Sequence, residues 1–472
     1  MSADKTLLAG VLNTGEPGND APVFYMHHPP MLVWVLALAR RTFGGAEWAA
    51  RLPILFALAG SAFLVLTLGQ RWLGRSAGWA ATFLFVLMPA AGAFGMHVDV
   101  HGPLTLLPAL GIVHAWDRIR TGDRRGHLWM LFWLTLGVLT DWPICYLPLI
   151  LWLHAVGTRA SGGLPKTLFL HGVFAAVVLA LVLAHMAVVR GGLAFLFDQL
   201  AHRTFHLQDD HASGFGPMDW LRKEGSHLRI LYSIPVLALS LWWLAMQFWP
   251  KKSDQRRCCG ILLLLTFGAL DVLLGFQASF VHDAWSIFLW PGIALAATSG
   301  VWQILRSKSP GVRWVTLTII TAWMRADGPP RPLSSQIDEW AGFSCLEMAQ
   351  VIRAESQPDE AVMIPGQWDC SPALFYYADR TMAPFVGDVP TFEQALAGDG
   401  FYGPLGFTMR SQKTIVAAVL PLHSVSDMVA SGLIDAIEDR GWQRTVRDEF
   451  VVYRPPTPHG EPGQGPLSRG RP

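Results

Sequence analysis

Residues 52–70 read LPILFALAGSAFLVLTLGQ, nineteen positions without a charged side chain. That is about the 20-residue length a helix needs to cross the hydrocarbon of a bilayer. The stretch is apolar all round and not striped, so its solvent is lipid and not a protein core with water behind it. Similar blocks recur at about 77–95, 102–116, 127–157, 167–189, 230–249, 258–277, 284–305 and 312–324. The block at 127–157 is too long for one crossing and carries Asp141-Trp142-Pro143 at its centre. A proline preceded by a carboxylate ends a helix, so this block divides into two short spans. The chain of 472 residues is 52% hydrophobic and 15% charged, against about 25% charged for a soluble domain. It is therefore read as a polytopic α-helical membrane protein.

Composition also excludes partners. The formal net charge is +1, and no basic stripe with interleaved aromatics is present, so nucleic acid is set aside. The five cysteines, Cys145, Cys258, Cys259, Cys345 and Cys370, form no CxxC pair, which leaves no zinc ribbon or thioredoxin-like motif. Cys345 and Cys370 can pair if the tail is extracytoplasmic; otherwise they are two free thiols.

Loop charge gives direction, because Lys and Arg gather on the cytoplasmic side of short loops. Arg71 and Arg75, then Arg118, Arg120, Arg124 and Arg125, then Arg159 and Lys166, then Lys251, Lys252, Arg256 and Arg257, then Arg306, Lys308 and Arg313 fall on one side. The intervening short loops hold His97, Asp99 and His101, then Asp141, then His282 and Asp283, without Lys or Arg. This parity predicts an extracytoplasmic first loop at 1–51 with juxtamembrane helices. A transmembrane domain follows at 52–325, with an extracytoplasmic loop at 190–229. After about residue 325, Pro329-Pro330 and Pro332 form a linker and charge rises. Strand-like runs at 361–365, 414–420 and 450–453, with helical stretches at 371–380 and 426–440, predict a small soluble extracytoplasmic α/β domain over 326–456. The Pro- and Gly-rich stretch 457–472 reads as a disordered tail.

Four pieces of sequence then stand in order on the predicted outer side: Tyr25-Met26-His27-His28-Pro29-Pro30 with Glu47-Trp48-Ala49-Ala50-Arg51-Leu52-Pro53, Leu139-Thr140-Asp141-Trp142-Pro143, Val281-His282-Asp283-Ala284-Trp285, and Leu289-Trp290-Pro291-Gly292. By itself the first reads as an interfacial helix opened by proline. Together they resemble the family-39 glycosyltransferases, which include protein O-mannosyltransferases and the lipid A aminoarabinose transferase. The resemblance covers roughly residues 1–325 and implies a C-type glycosyltransferase fold. It also implies a polyprenyl-phosphate sugar donor and a lipid, glycan or protein acceptor, with the active site on the periplasmic face of a bacterial inner membrane. It implies an inverting transfer in which Asp4 is the base, although Lys5 stands where the family's second acid would be. It further implies a transmembrane span ahead of Met1.

The chemistry asks for a carboxylate to take the acceptor's proton and for cations or a metal to meet the leaving phosphate. Asp99 is the second catalytic candidate. In an extended loop His97, Asp99 and His101 face one way, which makes them either donor-binding groups, a half-site for a divalent metal, or a solvated loop. His282 and Asp283 are candidates for the donor phosphate or sugar, with a helix-capping Asp as the alternative. His28 and Arg51 join the donor-binding group, and Arg190, Arg203, Arg222, Lys223 and Arg229 are further cations that can grip phosphate. Asp271, inside an apolar span, is either structural or lines the lipid groove. Two other function classes stay open: a transporter using Asp271 and Asp141, against which no internal repeat is seen, and a non-catalytic membrane scaffold.

Overall fold

The structure, a computed structural model, describes residues 10–13, 23–25, 28–44, 47–98, 102–158, 163–190, 215–247, 255–306, 311, 318, 345–357, 360–365, 381–385, 389–397, 414–422, 432–447 and 450–456. The chain divides into two compact units, residues 1–14 with 24–330, and residues 15–23 with 331–472.

Two short strands, β1 (Gly10–Asn13) and β2 (Val23–Tyr25), pair ahead of the first unit's α1 (Met31–Phe43) and α2 (Glu47–Leu73). Next come α3 (Arg75–Leu87), α4 (Pro89–Phe94), α5 (Pro103–Arg120) and α6 (Arg125–Val138). A 3-10 turn at Trp142–Tyr146 leads into α7 (Leu147–Gly157) and the long α8 (Leu164–Arg190). The unit closes with α9 (Pro217–Tyr232), α10 (Ile234–Gln247), α11 (Gln255–Leu274), α12 (Phe276–Val281), a second 3-10 turn at Asp283–Leu289, and α13 (Trp290–Leu305).

Among the described residues, three segments are long and apolar enough to cross a membrane: Trp48–Leu73, Leu164–Ala187 and Asp283–Leu305. The joined pair α9 and α10 makes a fourth, bent by 107°. Block 102–116 forms the unbroken α5, and three other apolar blocks are realised as broken helices. Block 77–95 divides at Pro89, whose ring cannot continue α3; block 127–157 divides at Asp141 and Pro143, as expected from the sequence; block 258–277 divides at Gly275. The expected span at 312–324 lies outside the described residues, apart from residue 318.

Burial sorts the helices by what they touch. The window that includes α13 is 78% buried, packed among α3, α10 and α11, whereas that of α8 is 22% buried. Phe56, Phe63, Leu87 and Leu181 are all more than 60% exposed. Large apolar side chains turned outward on several helices need hydrocarbon around them.

The second unit is a five-stranded mixed sheet ordered β4-β3-β5-β7-β6, with β3 at Ala361–Pro365, β4 at Thr381–Phe385, β5 at Ile415–Pro421, β6 at Gln443–Arg447 and β7 at Phe450–Arg454. Strand β3 runs parallel to β4 and β5, while β7 is antiparallel to β5 and β6. Alternation sends Val362 and Ile364 to one face, against Met348 and Ile352 of α14 (Cys345–Glu355). Met363 goes to the other face, with Phe392 from α15 (Val389–Leu396) and Ile434 and Ile437 from α16 (Leu433–Asp439). The expected last strand at 450–453 is an interior strand, because β6 covers it. The sequence of β6, QRTVR, is mostly exposed and has no apolar alternation to announce a strand. The expected helix at 371–380, the tail at 457–472, Cys370 and the side chain of Cys345 lie outside what is described.

Candidate active site

The His-Pro-Pro entry is fixed by its neighbour across the bundle. Pro30 precedes α1 with its φ already helical, and the next backbone N–H, that of Met31, donates to Leu139 O at 2.9 Å. This brings the end of α6 against the entry. His28 then lies with Nδ1 2.9 Å from Asp141 Oδ1, and both side chains are buried, at 4% and 1% exposure. Asp141 also caps the 3-10 turn, accepting from Trp142 N at 2.9 Å. One turn further on, Tyr146 donates its hydroxyl to Asp271 Oδ1 at 2.5 Å. Two carboxylates in an apolar bundle are costly unless hydrogen-bonded. The pairing with Tyr146 supplies that for Asp271, which is itself buried.

A second polar group forms around the turn after His282. His282 is exposed and Asp283 buried. Two glycines let α11 approach this turn. A Cβ on Gly268 would stand 2.5 Å from Leu289 N, and one on Gly275 would stand 2.2 Å from the Trp285 ring. The inner face of α9 closes over it at the spacing Trp220, Glu224, His227, Leu231, the stripe of an amphipathic helix. Trp220 Nε1 donates to Ser279 Oγ at 2.9 Å, Ser286 Oγ donates to Glu224 Oε2 at 3.2 Å, and Tyr232 OH donates to Ser286 O at 2.5 Å. Ahead of the helix, Phe215 stacks on Phe280 with ring centroids 3.9 Å apart. Glu224 and His227 were not foreseen as site residues. In the sequence they sit among Arg222, Lys223 and Arg229, and the helical spacing of apolar and polar positions was the signal that could have separated them.

The remaining candidates are less gathered. His97 is exposed just after α4, its N–H donating to Phe94 O at 3.1 Å, and α4 packs against α9. Arg51 Nη1 donates to Met96 O at 3.2 Å, which ties α2 to that loop. Asp4, Asp99 and His101 lie outside the described residues, as do Arg203 and the side chain of Arg190. Among the described residues no group of three His, Cys, Asp or Glu side chains is arranged to hold a metal ion.

Residues 27–187 match the family described as dolichyl-phosphate-mannose-protein mannosyltransferase. The structure of ArnT from Cupriavidus metallidurans bound to undecaprenyl phosphate superposes with a TM-score of 0.59 at 13% identity, over 91% of this chain and 88% of that one. The chain has a C-type, ArnT-like glycosyltransferase fold. The apo ArnT structure from the same organism gives the same TM-score and coverage at 12% identity. The family-39 resemblance carried by the His-Pro-Pro and Thr-Asp-Trp-Pro stretches is thereby borne out, since both lie inside the matched residues. An Archaeoglobus fulgidus oligosaccharyltransferase tethered to an acceptor peptide is similar at 15% identity and a TM-score of 0.49, over 92% of this chain and 66% of that one. No curated protein matches the sequence. Within the C-type fold, the segments singled out here are the ends of helices and the turns between them, where loops usually carry chemistry on a rigid scaffold.

Proposed function

We propose that this protein is a membrane glycosyltransferase that takes a sugar from a polyprenyl-phosphate carrier and passes it to a hydroxyl of a lipid, glycan or protein acceptor. The site faces the periplasmic side of a bacterial inner membrane, and the soluble α/β domain of 326–456 lies on that side too. The observation that carries the reading is the buried His28–Asp141 pair. It joins two sequence motifs 113 residues apart, both within the stretch matched to a family named for a lipid-phosphate sugar donor.

The acceptor O–H gives its proton to a carboxylate, assigned to Asp4, as its oxygen forms a bond to the sugar's anomeric carbon. The bond from that carbon to the phosphate oxygen breaks, and its electron pair leaves with the lipid phosphate. A single displacement of this kind inverts the anomeric centre. His28 and Arg51 meet the charge on the departing phosphate, with His282 and Asp283 holding the donor. Asp141 acts through His28. The carboxylate accepts from Nδ1–H and fixes the orientation of the ring, and the imidazole opposes the phosphate charge as the cation, with both ring nitrogens protonated. Asp99, flanked by His97 and His101, orients the sugar, and these three are also the residues that would take up a divalent cation.

The test is turnover of radiolabelled polyprenyl-phosphate sugars by the full-length protein reconstituted in lipid. The expected result is release of the bare lipid phosphate with transfer of the label, falling at least about 100-fold in Asp4→Asn and His28→Ala. Release no faster than in protein-free vesicles, across mannose, glucose, galactose and aminoarabinose donors, would overturn the reading.

A further inference from the structure

Glu224 and His227 lie one helical turn apart on the inner face of α9, both at least nine-tenths buried. Glu224 spends one oxygen on Ser286, yet its Oε1 and the Nδ1 of His227 are buried without a hydrogen-bond partner. The two atoms are 3.7 Å apart, beyond hydrogen-bonding reach of each other. One oxygen placed at about 2.8 Å from each closes the triangle at ordinary hydrogen-bond lengths. A carboxylate accepts and an imidazole N–H donates, so the group that satisfies both is one that donates and accepts through a single atom, a hydroxyl.

The pair is held in place from both sides. Trp220 bonds Ser279 and Tyr232 bonds the Ser286 carbonyl, so the face of α9 that carries Glu224 and His227 is fastened to the segment 276–289. Ser286 lies three residues beyond Asp283, in the same 3-10 turn. A cation would need more ligands than this pair supplies, and among the described residues no third His, Cys, Asp or Glu joins them.

We infer that Glu224 and His227 form a subsite for one hydroxyl of the transferred sugar, at the edge of the donor site. This rests on the glycosyltransferase reading and extends it from the lipid phosphate to sugar selection. The burial of the pair admits a hydroxyl at the rim of a ring and not a whole sugar stacked over it. A buried hydroxyl contact of this kind discriminates strongly, because a donor lacking that hydroxyl leaves both partners unpaired.

The experiment compares binding of bare undecaprenyl phosphate with that of undecaprenyl phosphates carrying mannose, glucose, galactose or aminoarabinose. It uses the full-length protein in nanodiscs, with Glu224→Gln and His227→Phe variants. The wild type is expected to prefer at least one sugar-bearing lipid over the bare one. Each variant is expected to lose that preference by about 10-fold or more, close to one hydrogen bond's worth of affinity, while binding the bare lipid as before. Three results overturn the subsite: a wild type that prefers no sugar-bearing lipid, a preference unchanged in both variants, as a resident water between the two side chains would give, or equal losses for all lipids in both variants. A wild type that binds no polyprenyl phosphate at all removes the glycosyltransferase reading itself, which keeps the two failures apart.

Discussion

At the arginine-rich end of the bundle, buried Asp117 accepts from Arg71 Nε at 2.6 Å, Arg120 Nη2 at 2.8 Å and Trp72 Nε1 at 3.1 Å. At the other end of α6, Asp141 has a histidine as partner, Asp271 a tyrosine and Glu224 a serine. Both sets are carboxylates in an apolar bundle, but two full cations stand among the described partners of Asp117, while the hydrogen bonds described for the second set come from neutral or titratable groups. A carboxylate gripped by two guanidiniums has no capacity left for a ligand and acts as a staple between α2 and α5. Asp141 instead orients an imidazole, and Glu224 keeps Oε1 buried without a hydrogen bond, the arrangement that the proposed function assigns to ligand binding. Under the proposed function, the difference separates structural from functional acids in a region where hydropathy alone treats them alike.

The comparison breaks first on activity. Asp141→Asn should cut sugar transfer by about 100-fold or more with the protein still inserted and folded, whereas Asp117→Asn should leave turnover per folded molecule unchanged. Parallel assays of label transfer and of folded protein by size-exclusion profile check both. The same pair should invert on stability. Asp117→Asn is expected to cost about 1–3 kcal/mol, allowing for the partly exposed Arg71 and Arg120, read as a lower thermal midpoint in detergent. A comparable midpoint loss for Asp141→Asn with full activity would reverse the assignment of the two ends.

Gly268→Ala sharpens the contrast from the backbone side. The added methyl would meet the Leu289 and Phe288 backbone within 2.7 Å, and relief requires the turn behind His282 to shift, at about 1–3 kcal/mol. The account expects a raised KM for the donor as well as a lower midpoint, measured on the same preparation. A smaller effect of opposite sign is expected at Ser233, the one described non-glycine residue with positive φ, at 61°, where α9 bends into α10. Ser233→Gly should raise the midpoint, worth about 1 kcal/mol, with transfer unaffected. The smallest effect belongs to Asp123 in the exposed loop after α5. Hydrogen bonds from Arg118 and the Arg125 backbone N–H hold its carboxyl below the usual carboxylate range. A depressed folded value means the contribution is present above the ordinary carboxylate pKa and fades as pH falls through the folded one. Comparing Asp123→Asn with wild type should therefore show converging midpoints at acid pH and a slight deficit in the variant at neutral pH.

Much of the fold was legible because lipid leaves a coarse signature. Stretches such as 52–70 and 167–189 are apolar on every face, and they are long helices. The breaks were less legible. Pro143 announced one, but Pro89 and Gly275 interrupt blocks that read as continuous, since a short apolar helix and half of a long one have the same composition. In the site, His28, Asp141, Asp271, His282 and Asp283 stood out as polar residues in apolar or aromatic surroundings. Their partners did not. Tyr146 is an ordinary residue until the 3-10 turn places it on Asp271, and no spacing rule joins positions 28 and 141. Glu224 and His227 were hidden by exposed cations on the other face of α9. Strand β6 was hidden because an exposed strand, paired along one edge with β7, needs no apolar alternation.

The central claim is that the carrier lipid's phosphate sits at the end of the bundle holding His28, Asp141 and the 282–289 turn. It is tested most directly by photocrosslinking undecaprenyl phosphate, with the reactive group beside its phosphate, to the full-length protein in native-like lipid and mapping the adducts by peptide mass spectrometry. The account predicts adducts in the peptides around residues 28–34 and 281–290, competed away by unlabelled undecaprenyl phosphate. Competed adducts confined to the Arg71, Arg120 and Asp123 end of the bundle would contradict it.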